Sequence, residues 1–224
     1  MAAGRLPAPI CVLICAMIIA SVGLNTGSAA TIIGAMLISP LMGSILATAY
    51  GAVANDPILV RNHLTGFGIQ IAISLIASTL YFALSPLKGA TSELPARTHP
   101  TFYDVVIATA GGIAGIIGQT RKDKANNIIP GVAIATALMP PICTCGYAIA
   151  NGRLAMLGQA AYLFILNAYF IFLSSTVILS LLKIPMVNDM DEKTWKKLRL
   201  RMIRNTIIIV IPSIVMLVVM ANSQ

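Results

Sequence analysis

Charge is what this chain has least of. Of its 224 residues only 10% are charged, against about 25% in an ordinary soluble domain. No carboxylate, Lys, Arg or His stands near the middle of any long apolar stretch; Asp56, Glu93, Asp104 and Asp123 all fall between stretches or at their ends. That excludes a proton relay built on a buried carboxylate. The two histidines, His63 and His99, sit in different connections. There is no HExxH, no glycine-rich phosphate loop after a strand, and no nucleophile with a base in reach, so the chain reads as a non-enzyme. The four cysteines, Cys11, Cys15, Cys143 and Cys145, lie inside apolar stretches and make no disulfide framework. Cys143 and Cys145, with Met36, Met42 and Met139, are soft ligands that suit Cu(I). Cys and Met also fill apolar space, and no His or carboxylate completes a set, so neither metal nor cofactor is expected.

Apolar residues are what the chain has most of: 58% are hydrophobic and mean hydropathy is +0.89. A membrane-spanning helix needs about 20 apolar residues. Seven such segments are expected, at 8–24, 28–54, 64–85, 104–118, 127–150, 156–182 and 205–221. The whole of 1–224 reads as one all-α integral membrane domain. The net charge of +8 does not point to nucleic acid, because the basic residues are sorted by side. With seven spans, only Lys88, Arg97 and Arg153 fall opposite the N-terminus, and the other twelve share its side. This positive-inside bias places the N-terminus in the cytoplasm and the C-terminus outside. Were both proline-containing segments re-entrant, the split would fall to ten against five. Arg5, an apolar run and "GSAA" at 27–30 also resemble a secretory signal; a true first helix is the preferred reading.

Two of the segments are interrupted by proline, as "GAMLISPLMG" (34–43) and "ALMPPICTCG" (137–146). Proline removes an N–H and clashes with the carbonyl one turn back. Helix, proline-broken segment and helix follow one another at about 8–85 and again at about 104–182, and the broken segments close alike, as "YGAVAN" (50–55) and "YAIAN" (147–151). Three spans per unit force the second unit to enter from the opposite side. The expectation is a 3+3 inverted repeat with two proline-broken helices, plus a C-terminal helix, a layout shared by many secondary transporters.

The motifs "TIIGAMLISPLMG" (31–43), "ARTHPTFYDVVIATAGGIAG" (96–115) and "PGVAIATALMPP" (130–141) closely resemble the domain-of-unknown-function 389 family of prokaryotic membrane proteins. The resemblance covers about 20–182 and implies a multi-pass protein of the prokaryotic cytoplasmic (inner) membrane. It implies no activity and carries over no functional residue. Some relatives have a soluble domain ahead of the membrane part; only seven residues precede the first span here, as in a minimal member or a shortened one.

At the expected midplane, Gly34, Ser39, Pro40 and Gly43 surround the first break, with Thr136, Pro140, Pro141 and Thr144 at the second. Neutral groups and freed backbone suit a small anion or zwitterion held by helix N-termini, and equally Na⁺ held by carbonyls. Asn167 is the polar residue expected at mid-depth in the sixth span, lining the site or bonding a neighbour; Gln70 and Gln159 read as interfacial. Gly111 and Gly115 have small-xxx-small spacing for close packing. In the outer loop, Arg97 pairs with Glu93 or Asp104 as a gate, and Asp104 also suits a helix cap. Residues 189–204 form an amphipathic surface helix, with Trp195, Lys196, Lys197, Arg199 and Arg201 against anionic lipid. The function expected is a small-solute transporter with its site between the breaks. An oligomeric ion channel and a non-transporting scaffold or sensor are the alternatives, and a homo-oligomer is expected in each case.

Overall fold

The computed structural model describes residues 8–87, 91–98, 100–120 and 128–182, with seven isolated positions beyond Leu182; for 128–137 it describes the helical path but not the side chains. The described residues form seven α-helices and one short 3-10 turn. They are α1 (Ala8–Thr26), α2 (Ala29–Ile38), α3 (Leu41–Val53), α4 (Pro57–Leu84), the turn Pro95–Arg97, α5 (Phe102–Thr120), α6 (Ile128–Ala150) and α7 (Leu154–Leu181). The surface helix expected around Trp195, Lys196, Lys197, Arg199 and Arg201 lies outside the described residues, as does most of the last helix at 205–221.

Local chemistry sets the joints. Gly27 has φ 69°, and the Ser28 amide reaches back to the Gly23 carbonyl at 2.8 Å, closing α1 in a Schellman-type turn. The ends of α3 and α6 repeat that turn. Asn55 (φ 54°) precedes Asp56 N–H bonded to Gly51 O at 2.9 Å, and Gly152 (φ 66°) precedes Arg153 N–H bonded to Ala148 O at 2.8 Å. The Asp56 carboxylate then accepts from the Ile58 and Leu59 amides at 3.1 and 3.0 Å, with Pro57 at the first helical position. This cap starts α4 seven residues before the expected position 64, because Arg61, Asn62 and His63 interrupt the apolar pattern after Ile58, Leu59 and Val60.

Four helices, α1, α4, α5 and α7, are long and apolar enough to cross a membrane, or five if α2 and α3, bent by 49°, count as one. The bent pair runs from one end of the bundle to the other. Asn25 at the end of α1 donates to Ser85 Oγ at 2.8 Å, which places the end of α4 beside it. With 28 residues, α4 is about 42 Å long, so its start and the end of α3 lie at the far end. There the Val187 amide bonds the Ala54 carbonyl at 2.7 Å.

One expectation is corrected. The first proline segment is broken, but the second is not: α6 is a single helix through Pro140 and Pro141. Ser39 takes the extended conformation (ψ 128°) favoured before proline, so α2 stops there. In α6 the chain stays helical because proline forfeits one N–H without obliging a break, and packing holds the rest. Thr144 Oγ1 also bonds the Pro140 carbonyl at 2.9 Å.

The helix α6 packs against each of the other six helices, and every residue from Leu138 to Ala148 is buried. Polarity is sorted inside out. Ser21, Ser74, Ser78, Ser174, Ser175 and Thr176 are buried, while Ile69, Ile76 and Leu80 of α4 and Val177 of α7 face outward. Lipid offers the outer face an apolar solvent, and each of these six hydroxyls finds a carbonyl or hydroxyl within the bundle.

Closest packing falls at glycine. A Cβ on Gly112 of α5 would stand 2.0 Å from Ser174 Oγ and 2.6 Å from the Ile171 carbonyl of α7, whereas one on Gly34 would meet nothing within 4 Å. Gly112→Ala is expected to cost about 1–3 kcal/mol, the range for overpacking. Gly34→Ala should be neutral or stabilising by up to about 1 kcal/mol, the helix-propensity difference. Thermal unfolding of both variants in one detergent checks this.

Candidate functional site

The residues expected to form a midplane site occupy different surroundings. Gly34 and Gly43 lie on the outer face of α2 and α3. Ser39 and Pro40 are half-buried at the break, where no side chain caps α3 and the shielded Ser39 Oγ has no partner. Pro140, Pro141 and Thr144 are enclosed within the bundle. Asn167 is buried in α7. The side chain of Thr136 lies outside the described residues. Cys143 Sγ is 3.7 Å from Met17 Sδ on α1, whereas Cys145 turns to the Leu157 carbonyl of α7, so the two thiols do not converge.

In the connection between α4 and α5 Arg97 pairs with Glu93 at 3.6 Å, and Asp104 accepts from the Thr101 amide and hydroxyl, both at 2.7 Å, at the start of α5. The loop is tied down: Thr91 Oγ1 donates to the Leu24 carbonyl, and Leu94 is fully buried. Asp104 thus closes a helix start, and only Glu93 and Arg97 form a pair.

The described residues converge instead on a cavity of about 330 Å³ between α3, α4 and α7. Ile45 and Thr48 come from α3, Leu64, Phe67 and Ile71 from α4, and Phe164, Ile165, Ala168, Tyr169 and Phe172 from α7. No charged residue lines it. Phe67 and Phe164 stack across it with ring centroids 6.0 Å apart and planes 21° from parallel. Offset stacking is favourable beyond the area it buries.

Just beyond the cavity, Ser44 Oγ donates to Gln70 Oε1 at 3.1 Å, and Thr48 Oγ1 donates to the Ser44 carbonyl at 2.7 Å. Gln70 is the fourteenth residue of α4, and Asn167 is the fourteenth of α7, each helix having 28. Gln70 is therefore at the middle of its helix. Its position was legible only through the Asp56-Pro57 cap signature, which sets where α4 begins. The hydrophobicity of 64–85 places it near an end.

At the other end of the bundle α4 closes tightly on α6. Ser78 Oγ donates to the Cys143 carbonyl at 3.2 Å and is 3.0 Å from Ser21 Oγ. Phe82 meets Tyr147 edge-on at 5.1 Å, and a Cβ on Gly146 would be 2.6 Å from Ser78 Cβ. The bundle is thus closed on the α6 side and hollow on the α3 side.

A helical bundle with polar groups inside, an apolar outer face and a mid-depth cavity is the architecture of a multi-pass membrane protein. The chain belongs to the family described as Domain of unknown function (DUF389), whose profile matches residues 36–173, more than half of its length. It is 28% identical over 185 residues to an uncharacterised protein of Methanocaldococcus jannaschii, a match covering 83% of this chain and 56% of the relative. The chain thus spans about half the length of the curated relative it matches. No solved structure matches it.

Phe67→Ala is expected to destabilise the protein by about 1–3 kcal/mol, less than a fully enclosed Phe→Ala because the cavity is open at one side. Gln70→Leu should change stability by about 1 kcal/mol or less, as for interhelical hydrogen bonds in membranes. Chemical unfolding of both variants in mild detergent checks the order.

Proposed function

We propose that this protein is a small-solute membrane transporter built as an inverted repeat, with its solute site at the repeat axis. The observation that carries the reading is the Phe67–Phe164 stack. These residues stand 97 positions apart, and α4 and α7, both 28 residues, begin 97 positions apart. A residue can touch its own counterpart only where a two-fold axis passes between them. Several features support the same relation. The turns at Asn55 and Gly152 share that spacing, as do the mid-helix amides Gln70 and Asn167. So do Ser78 and Ser175, which bond carbonyls of a neighbouring helix. Helices α1 and α5 are both 19 residues long.

The two trios run in opposite senses along the bundle, so the axis lies across its length. In a membrane that is the inverted arrangement in which transporters bind solute at the repeat interface. The cavity adjoins the stacked pair, and the bundle is closed on one side of the axis and hollow on the other. The site assigned here is the α3–α4–α7 cavity, since only the first proline segment is broken. The sorting of basic residues supports a cytoplasmic N-terminus in a prokaryotic cytoplasmic membrane.

Recording from the purified protein in a planar bilayer across a KCl gradient, alongside solute uptake by proteoliposomes, tests the reading. The expected result is electrical silence with saturable uptake of at least one neutral solute, reduced at least tenfold by the cavity-filling change Ala168→Phe. Discrete unitary currents would make the protein a channel. Neither current nor uptake would leave it a membrane scaffold.

A further inference from the structure

We infer that the cavity between α3, α4 and α7 binds a compact, neutral, largely flat organic molecule carrying one N–H or O–H donor. Inorganic anions and zwitterions are excluded from it. The inference rests on the transporter reading only for what the site is used for; binding itself follows from the walls.

Size comes first. A cavity of about 150 Å³ lined by aliphatic and aromatic side chains holds benzene. One of about 330 Å³ therefore accommodates one or two fused rings. Shape follows from the walls, where the stacked faces of Phe67 and Phe164, with Phe172 beyond, suit a planar partner.

Charge is decided by what the walls lack. They contain no Lys, Arg, His, Asp or Glu, and no residue of 34–43 or 137–146, the stretches around the prolines, belongs to them. An ion entering would lose its hydration and gain no counter-charge, which is costly in a low-dielectric site. The anion expected from the helix breaks therefore has no place in this cavity.

Two lining residues carry a hydroxyl, Thr48 and Tyr169, and Thr48 supplies direction. Thr48 Oγ1 spends its single proton on the Ser44 carbonyl at 2.7 Å, so toward the cavity it can only accept. A ligand N–H or O–H is the complementary group.

The entrance agrees with that chemistry. Leu64 and Ile165, at the rim, are 57% and 54% exposed on the outer face of the bundle, where lipid would stand. A neutral molecule that dissolves in the bilayer reaches the site from the side without crossing water.

The test is equilibrium binding of radiolabelled indole and 1-methylindole to the full chain in nanodiscs, with protein-free nanodiscs subtracted to remove lipid partition. Expected are about one saturable indole site per chain and at least a tenfold loss in Ala168→Phe with the thermal unfolding transition retained. The near-isosteric Thr48→Val should weaken indole by about three- to tenfold, the worth of one hydrogen bond. It should leave 1-methylindole, which has no donor, unchanged.

Non-saturable uptake equal in wild type and Ala168→Phe would overturn the inference. So would thermal stabilisation by phosphate or glycine with none by indole, or a phospholipid that co-purifies with wild type and is lost in Ala168→Phe. Saturable binding without solute flux in liposomes would support the site and remove the transport reading. Flux that persists in Ala168→Phe with no indole binding would do the reverse.

Discussion

The structure depends on α6 being enclosed on every side. Eleven consecutive residues, Leu138 to Ala148, are buried, which a helix achieves only when neighbours cover its whole circumference. Two of those eleven are prolines, and Gly146 stands where any side chain would strike Ser78 of α4. Packing from all round keeps the helix intact through Pro140 and Pro141, and the missing Cβ lets α4 come close enough to supply it. At the Ser39-Pro40 break the surroundings are half open and the chain bends. The same chemical defect has two outcomes because its neighbours differ.

Hydrogen bonding follows from the solvent. In hydrocarbon an unmet polar group has no water to turn to, so the hydroxyls of α4 and α7 point inward and bond to carbonyls. Some close on their own helix one turn back, as Ser74, Ser174 and Thr176 do. Others bridge helices, as Ser78 bridges to α6 and Ser175 to α5. The bridging serines sit where glycines or small residues let helices approach, so close packing and polar satisfaction occur at the same places.

The cavity between α3, α4 and α7 interrupts this dense interior. It lies on the side of the broken segment, where α3 faces α4 and α7 with Thr48 and Ala168 among larger neighbours. Where α4 meets α6, Tyr147 and Phe82 fill the space. The interior is thus uneven, open beside the bent pair of α2 and α3 and filled beside the continuous α6.

Much of this was legible in the residues. Apolar run length marks the long helices, and a serine held extended by the proline after it marks the bend. Asp56-Pro57 marks the start of α4, and the resemblance of the ends of α3 and α6 marks the shared turn. These are local properties, decided by neighbours a few positions away. Other features had no local signature. The continuity of α6 through two prolines, the stacking of Phe67 on Phe164, the convergence of Gln70 with Ser44, and the cavity between α3, α4 and α7 were decided by tertiary contact. Each depends on helices far apart in sequence meeting at a given depth and rotation. By itself the sequence determined an apolar helical chain, its segment order and its joints, because backbone sterics and hydrophobicity act locally. Only the tertiary structure decided where space is left between the helices, because packing is a property of several surfaces at once.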